Sequence, residues 1–288
     1  MSKPEPKKIK VGLALSGGSA LGIAHIGVLQ SLEDHKIQID CLAGTSSGAI
    51  VAACYAFGVP LNKITAIAGR LKWSSFSRLS LSVMGLMNNS IIGETLIELI
   101  GRGPDVLIED SPIPLAIVAT DISSGKRVVF TKGNLAQAVM ASSCIPGLFI
   151  PVEIDGKKFI DGAFVENLPI FALAELGADI QIGVTLRHFH PYVDPQNVID
   201  IFYNAMEILT EKQYTLIEKE GLGLLIKPHL ENYGSSDFKK ADGLIAEGYR
   251  AATLEIPEIR DLLNSKETLS FWPSLLQHLG LFSLKNKK

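Results

Sequence analysis

The chain has 288 residues, 47% of them hydrophobic, and a formal net charge of −3 at pH 7. A chain of this length and hydrophobic content can bury a large core, and single α/β domains often reach this size. The slightly acidic balance argues against nucleic acid as the main partner, because nucleic-acid-binding domains carry an excess of Lys and Arg.

The first residues and the cysteines bear on the compartment. Residues 1–9 are polar and rich in lysine and contain no apolar segment of the kind found in a secretory signal, so we expect a flexible N-terminus. Cys41, Cys54 and Cys144 lie in apolar segments and share no C-x-x-C spacing. Buried free thiols are typical of a reducing compartment, so the sequence predicts a cytoplasmic protein.

A glycine-rich loop lies between the first predicted strand and the first predicted helix. Residues 10–15 form an apolar run that predicts a buried strand, and residues 23–32 carry apolar side chains at helical spacing. Between them lies the segment 16–22, with the sequence SGGSALG. A loop of this kind presents free backbone N–H groups, reinforced by the positive end of the helix dipole. It can therefore hold either a phosphate group or a developing oxyanion.

The residues around the glycines favour the oxyanion. A P-loop needs Lys followed by Ser or Thr after the last glycine, whereas Gly22 is followed by Ile23 and Ala24. The dinucleotide-binding fingerprint G-x-G-x-x-G does not fit the glycine spacing either. Because a serine motif follows one βα unit later, the loop is better interpreted as an oxyanion hole.

The sequence GTSSG at residues 44–48 matches the nucleophile-elbow motif G-x-S-x-G. An apolar strand-like run precedes the motif and an apolar helix-like run follows it, which is the context that the motif requires. The sharp turn holds its central residue, Ser46, in a strained conformation with the hydroxyl exposed. Gly44 and Gly48 are expected to be required, because a Cβ at either position would clash with the neighbouring backbone.

Residues 41–59 carry no charged side chain over nineteen positions, which approaches the length that spans a bilayer. The centre of this segment is the GTSSG turn, and irregular backbone is poorly tolerated at membrane depth. We therefore expect a helix buried between the layers of an α/β fold rather than a membrane span.

The rest of the chain alternates between helical and strand patterns. Helices are predicted at residues 61–71, 93–100, 136–142 and 199–220 and strands at 114–119, 184–186 and 224–226, with mostly helical residues from there to 263. The alternation predicts a three-layer α/β/α fold with a mainly parallel central sheet. No internal repeat or interdomain linker is visible, so we expect residues 10–263 to form one domain.

Residues 74–90 mix serines with large apolar side chains and lack clear periodicity. Two interpretations stay open for this segment: a flexible cover over an acyl-binding groove, or an ordinary surface excursion. The pattern alone favours neither of them.

Residues 152–160 predict a β-hairpin whose turn is Asp155-Gly156. Asp161 follows at the end of the returning strand, where a side chain can project from the sheet into a site. Most Asp-Gly pairs form turns, so Asp161-Gly162 is open to that interpretation as well as to a catalytic one.

Three motifs, in this order along the chain, resemble those of the patatin-like phospholipases, the serine acyl hydrolases that use a Ser–Asp dyad. They are SGGSALG at residues 16–22, GTSSG at residues 44–48 and DGA at residues 161–163, and the segments 118–126 and 141–147 are also similar to bacterial members. The resemblance covers residues 9–262, and the three ordered motifs together are much more specific than any one of them.

The resemblance implies roles for particular residues. It makes Ser46 the nucleophile and Asp161 the general base. It also implies that the backbone N–H groups of Gly17, Gly18 and Ser19 form the oxyanion hole. The substrate that it implies is a lipid acyl ester, such as a phospholipid or a lysophospholipid. The chemistry requires no metal and no organic cofactor.

Two positions depart from the family pattern. Ser19 stands where a third glycine is usual, and Leu21 stands where arginine or lysine is usual. Ser19 can still donate its backbone N–H, provided that its φ stays negative. Leu21 supplies no charge, so a weakly active lipid-binding regulatory protein stays open. An acyltransferase or thioesterase with the same dyad stays open as well.

A Ser–His–Asp triad on an α/β-hydrolase fold is the main alternative mechanism. It requires a histidine after the acid, and the candidates are His188, His190, His229 and His278. An elbow that follows only one βα unit is early for that fold. Two histidines without a nearby third ligand, as at His188 and His190, are more typical of a surface than of a metal site. We expect His25, in the helix after the glycine loop, to be partly buried and hydrogen-bonded.

The tail at residues 264–288 combines an apolar helical stripe with three lysines near its end. The stripe consists of Phe271, Trp272, Leu275, Leu276, Leu279 and Phe282. This combination suits an anchor at an anionic lipid surface, and hence peripheral membrane contact. A helix packed against the domain or against a partner subunit is slightly favoured, because apolar helical faces usually serve cores. The oligomeric state does not follow from the sequence.

Overall fold

A computed structural model describes the chain at residues 9–68, 78–82, 85–186 and 198–264. The predicted flexible N-terminus (residues 1–9) and the predicted amphipathic tail (residues 264–288) lie almost entirely outside the described residues. Both therefore stay predictions.

Strands and helices alternate along most of the described chain. The strands are β1 (Val11–Leu15), β2 (Cys41–Thr45), β3 (Arg78–Ser82), β4 (Gly85–Asn88), β5 (Leu115–Asp121), β6 (Lys126–Phe130), β7 (Val152–Ile154), β8 (Lys157–Asp161), β9 (Ile180–Val184) and β10 (Leu224–Ile226). The α-helices are α1 (Ala24–Asp34), α2 (Ser47–Ala56), α3 (Leu61–Ala68), α4 (Ser90–Ile100), α5 (Leu135–Ser142), α6 (Ala163–Glu166), α7 (Ile170–Glu175), α8 (Val198–Lys219) and α9 (Ala241–Asn264). Short 3-10 helices span Ser19–Ile23, Ile108–Asp110 and Phe238–Lys240.

Eight of these strands form one sheet in the order β10-β9-β1-β2-β5-β8-β7, with β6 also paired to β5. The five strands from β10 to β5 are parallel to their neighbours. Beyond β5 the pairings with β6, β8 and β7 are antiparallel. The separate pair β3 and β4 forms an antiparallel hairpin. The predicted three-layer fold with a mainly parallel sheet is confirmed, and the sheet carries an antiparallel edge.

Both faces of the parallel strands are buried, which explains their uninterrupted apolar sequences. Leu13 and Leu15 of β1 lie in the core that includes residues of α1, α2 and α9. Ala14, Cys41 and Ala43 lie in the core on the opposite face, with residues of α7 and α8. Successive side chains of a strand point to opposite faces, so one short apolar strand serves both cores.

Three predicted elements have different bounds in the structure. The strand predicted at 184–186 is Ile180–Val184, because it pairs in parallel with β1 along its whole length. Helix α4 begins at Ser90, three residues earlier than predicted. Residues 227–240 were expected to be mostly helical, but they form turns and a 3-10 helix, and α9 begins at Ala241. Pro and Gly within 227–240 disfavour a regular helix there.

Other predictions concern segments that the structure describes in part. Of residues 74–90, the described parts form the β3–β4 hairpin and the start of α4, which does not decide between a cover and a surface excursion. The uncharged segment 41–59 forms β2, the elbow and α2. Among the described helices, none is long and apolar enough to cross a membrane. All three cysteines are buried and free, as predicted.

Helices α1 and α9 pack with their backbones in close contact. An added Cβ at Gly248 of α9 would lie 1.9 Å from the carbonyl oxygen of Ala24, and one at Gly27 of α1 would lie 1.8 Å from that of Ile245. Only glycine fits at these crossing points. Because α1 follows the glycine loop through the Ser19–Ile23 turn, its packing on α9 also fixes the helix to which the loop is attached.

We expect Gly248→Ala to lower the free energy of unfolding by about 1–3 kcal/mol, since overpacking forces the two helices apart. Alanine is otherwise the better helix former, so a loss is diagnostic of the contact. Chemical denaturation measures it. Gly103→Ala is the control, because a Cβ there meets no atom within 4 Å. A Gly248→Ala protein as stable as its parent would contradict the close packing.

Candidate active site

Ser46 lies in the turn between β2 and α2, with φ 53° and ψ −123°. Non-glycine residues seldom adopt a positive φ, so the turn is strained in the way expected of a nucleophile elbow. A Cβ at Gly44 would lie 2.5 Å from the Cα of Ala49, and a Cβ at Gly48 would lie 2.1 Å from the carbonyl oxygen of Leu15. The backbone therefore excludes any larger residue at both glycine positions.

The Ser46 hydroxyl donates a hydrogen bond to Oδ2 of Asp161 over 2.7 Å, although the two residues are 115 positions apart. Asp161 is only 4% exposed, and its Oδ1 accepts the backbone N–H of Ala163 at 2.9 Å. A carboxylate in direct contact with a serine hydroxyl can accept the hydroxyl proton.

Strand register brings these two residues together. Thr45, at the end of β2, pairs with Val118 of β5, and Ala119 of β5 pairs with Asp161 of β8. Because Ser46 directly follows Thr45, it stands level with the Ala119–Asp161 pair. Strand β8 runs antiparallel to β5 and pairs only with its last residues, from Ala119 to Asp121, so Asp161 lies near the carboxyl end of β2, where the elbow begins.

Burial raises the pKa of Asp161 to about 6. The hydrogen bonds from Ala163 and Ser46 oppose this rise, because they favour the ionised carboxylate. Asp161 is therefore mostly ionised at neutral pH while being a stronger base than an exposed aspartate.

The glycine loop has protein acceptors for its N–H groups in this structure. Gly17 shares its N–H between the backbone oxygen and Oδ1 of Asn167, at 3.3 and 3.1 Å. Gly18 donates its N–H to Oγ of Ser47 at 3.1 Å. Ser19 has φ +53°, so the condition that its φ stay negative is not met. All three loop residues line one cavity together with Ser46, and an oxyanion bound to Gly17 or Gly18 would replace these acceptors.

Two buried polar residues of the site were missed in the sequence. Ser142, at the end of α5, accepts the backbone N–H of Ser46 at 2.9 Å. Asn167 holds Gly17 through its side chain. One feature of the sequence could have pointed to Asn167: together with Glu166, it interrupts the otherwise apolar segment 163–174.

The described histidines lie away from the dyad. Nε2 of His25 donates to the carbonyl oxygen of Ser16 over 2.8 Å, and burial lowers the pKa of His25 to about 4. His25 is fully buried rather than partly buried as expected. His229 is exposed, and the other three triad candidates lie outside the described residues. Within the described part of the chain, no histidine lines the cavity that holds the dyad.

A cavity of about 490 Å³ lies beside the dyad. Aliphatic side chains of α2, α3 and α4 form much of its wall: Ile50, Val51, Ile64, Ile67, Ile91, Ile92, Leu96 and Leu99. Among its described lining residues, the only charged ones are Asp161 and Glu207. The volume is that of a small-molecule site, and the apolar wall suits a hydrocarbon chain.

We expect Asp161→Asn to remain folded and to be at least as stable as the parent at neutral pH, because asparagine can make both hydrogen bonds without a buried charge. Folding raises this pKa from 3.8 to about 6. The stability contributed by the protonated form is therefore present below about pH 4 and is lost as the pH rises through about 6. Thermal unfolding at about pH 5 and about pH 8 checks this. The variant should exceed the parent in thermal stability by more at the higher pH than at the lower one. A difference that does not grow with pH would contradict the raised pKa of Asp161.

Comparison with known proteins places these features in a family. An uncharacterized NTE family protein of Mycobacterium tuberculosis strain H37Rv is 38% identical over 181 residues, which cover 62% of this chain and 49% of that protein. Lysophospholipase NTE1 of Meyerozyma guilliermondii is 26% identical over 273 residues, covering 83% of this chain and 19% of its own. The chain thus spans half or less of the length of these curated relatives.

In three dimensions the chain is similar to the crystal structure of VipD from Legionella pneumophila. The TM-score is 0.53 at 16% sequence identity, over 89% of this chain and 69% of VipD. A likeness at this identity concerns the fold alone. The sequence model described as patatin-like phospholipase matches residues 13–174. Since that match spans more than half of the chain and includes the glycine loop, Ser46 and Asp161, the chain belongs to the patatin-like phospholipase family.

Proposed function

We propose that this protein is a serine acyl hydrolase that cleaves acyl esters of lipids, with Ser46 as the nucleophile and Asp161 as the general base. One observation carries the proposal: the 2.7 Å hydrogen bond from the Ser46 hydroxyl to the buried Asp161 carboxylate, beside an apolar cavity. Membership of the patatin-like phospholipase family supports it, as does the similarity to proteins named lysophospholipase NTE1.

The reaction proceeds in two steps through an acyl-enzyme. Asp161 accepts the Ser46 proton while the serine oxygen attacks the ester carbonyl, and the proton then passes to the departing alcohol. In the second step a water molecule gives a proton to Asp161 and attacks the acyl-serine. The bond from the acyl carbon to the Ser46 oxygen then breaks, Asp161 returns the proton to that oxygen, and the fatty acid leaves. A pKa near 6 suits both duties, since the carboxylate is ionised at neutral pH yet accepts a proton more readily than an exposed aspartate.

The N–H groups of Gly17 and Gly18 are the proposed donors to the oxyanion; Ser19, expected as a third donor, has a positive φ and is left out of the proposal. All three residues lie beside the nucleophile in the cavity wall. Gly17 and Gly18 would have to exchange Asn167 and Ser47 for the oxyanion as acceptor. Loss of one such donor typically costs roughly 10²–10³ in turnover.

The cavity wall supports an acyl chain as the bound part of the substrate. The aliphatic side chains of α2, α3 and α4 lie next to the dyad. Leu21, at the position where the family usually has a basic residue, is buried and lines the same cavity. It therefore adds apolar contact, and it offers no charge to a substrate phosphate.

The remaining part of the proposal is peripheral membrane contact through residues 264–288, which would bring the enzyme to its lipid substrate. The apolar stripe followed by lysines in that tail is its support. The tail lies outside the described residues.

We expect a fluorophosphonate to label Ser46 covalently, and Ser46→Ala to abolish both the labelling and nearly all hydrolysis of a panel of fatty-acyl esters, thioesters and lysophospholipids. In the parent, kcat/KM should fall as the pH drops through about 6, because protonated Asp161 cannot act as a base. Peptide mapping and fatty-acid release measure these outcomes. Ser123→Ala, an exposed serine in the β5–β6 turn, is the matched control.

Labelling of Ser47, or full activity in Ser46→Ala, would contradict the assignment. Preferential turnover of thioesters would instead favour a thioesterase. Transfer of the acyl group to an added alcohol in preference to water would favour an acyltransferase. Labelling without turnover of any panel member would favour the weakly active lipid-binding protein.

We expect Ile67→Phe to shorten the acyl chain that the enzyme prefers. Ile67 lies on α3, is half-buried and lines the cavity, so a larger side chain there occupies space that a long chain would fill. Activity on a long-chain ester should fall about tenfold or more, the usual size of a steric change in an apolar pocket. Activity on a butyryl ester should be retained. Ile122→Phe, at an exposed isoleucine, is the control, and equal losses on both esters would argue against this chain-binding role.

A further inference from the structure

Two adjacent residues of α8, Gln213 and Tyr214, are linked to both catalytic loops through their side chains and Asn167. Neither residue belongs to the motifs that identify the family. One of these loops is the glycine loop after β1, which is the first of the three family motifs. The other is the turn that follows Asp161, which belongs to the last of them. Helix α8 exposes Ile201, Ile208 and Leu216 on one side and buries Thr210 and Ile217 on the other.

Gln213 links Asn167 to the turn that follows Asp161. Its Nε2 donates to the carbonyl oxygen of Ala163 at 2.9 Å, and its Oε1 accepts the backbone N–H of Asn167 at 2.8 Å. The N–H of Ala163 in turn donates to Oδ1 of Asp161. The Gln213 amide therefore holds Ala163, whose N–H orients the catalytic carboxylate, through the adjoining peptide unit.

Tyr214 holds the Asn167 side chain that contacts the glycine loop. Its hydroxyl accepts a hydrogen bond from Nδ2 of Asn167 at 2.7 Å. The Asn167 amide is thereby held with Oδ1 toward the N–H of Gly17. Tyr214 and Asn167 are 3% and 5% exposed, so loss of the Tyr214 hydroxyl would leave a buried amide donor with only its longer, 3.4 Å bond to the Gly17 carbonyl oxygen.

We infer that Gln213 and Tyr214 are positioning residues. Through Asn167 they fix the position of the glycine loop relative to the turn that follows Asp161. The inference rests on the proposed function, since it concerns how the same site reaches its working geometry. The two loops belong to β1 and β8, which are separated in the sheet by β2 and β5, so sheet pairing relates them only through two intervening strands. A side-chain bridge from α8 supplies a direct constraint between them.

The test uses Gln213→Met and Tyr214→Phe in the full chain. Each variant removes hydrogen bonds while nearly keeping side-chain size. We expect kcat to fall roughly 10- to 100-fold in both, as expected when reacting groups are slightly misplaced, with KM changed less than about twofold. The rate of fluorophosphonate labelling at Ser46 should fall with kcat. In Gln213→Met the acid limb of the kcat/KM profile should move to higher pH, because a loosened Ala163 N–H stabilises ionised Asp161 less.

Tyr249→Phe and Gln137→Met are the matched controls. Among the described residues, the Tyr249 hydroxyl donates one hydrogen bond, to Oδ2 of Asp34 at 3.0 Å, outside the cavity lining, and Gln137 is exposed on α5. Circular dichroism and thermal unfolding establish folding. If Tyr214→Phe fails to fold, the half-buried Gln213 still decides the question. Unchanged kcat and labelling in a folded Gln213→Met, or a rise in KM at constant kcat, would overturn the inference.

The two proposals fail in different ways. If the parent labels at Ser46 but hydrolyses none of the esters, the proposed function fails, and the inference is judged on the labelling rates alone. If the parent hydrolyses esters and the variants match it, only the inference fails.

Discussion

The hydrogen bond between Ser46 and Asp161 places a demanding requirement on the rest of the fold. It joins a serine hydroxyl to a carboxylate that is almost completely buried, without an intervening imidazole among the described residues. Burial disfavours the ionised carboxylate, and this is the physical source of the raised pKa. The Ala163 N–H and the Ser46 hydroxyl offset part of that cost. The surrounding elements must therefore hold two donors on one carboxylate, and they must keep water away from it.

The mixed sheet meets the first part of this requirement. Strand β8 of the β7–β8 hairpin runs antiparallel to β5 and pairs only with its last residues, and the pairing of Ala119 with Asp161 sets the carboxylate level with Ser46. The hairpin, its Asp155-Gly156 turn and the residue at its end are local features. The sequence could therefore predict them, whereas the strand beside which the hairpin lies is set by long-range pairing.

The same distinction explains which other parts could be predicted. Strand β1, the elbow and α2 follow from contiguous apolar runs and a short motif, and the structure has them within a residue or two. Asn167, Gln213 and Tyr214 could not be assigned, because their importance lies in partners up to 150 positions away along the chain, which no local pattern encodes. Strand β9 was placed too late for a related reason, since its bounds are set by pairing with β1 and not by its own composition.

The glycine loop makes hydrogen bonds within the protein through the same N–H groups that are the proposed donors to the oxyanion. Buried N–H groups need acceptors, and Asn167 and Ser47 supply them to Gly17 and Gly18. These acceptors are an amide oxygen and a hydroxyl, both neutral. A neutral ester carbonyl gains little by replacing them, whereas a tetrahedral oxyanion carries charge and accepts hydrogen bonds about twice as strongly. In the proposed mechanism the exchange of acceptors would therefore become favourable as charge develops on the oxygen. Interactions that strengthen only at that stage are the ones that raise kcat.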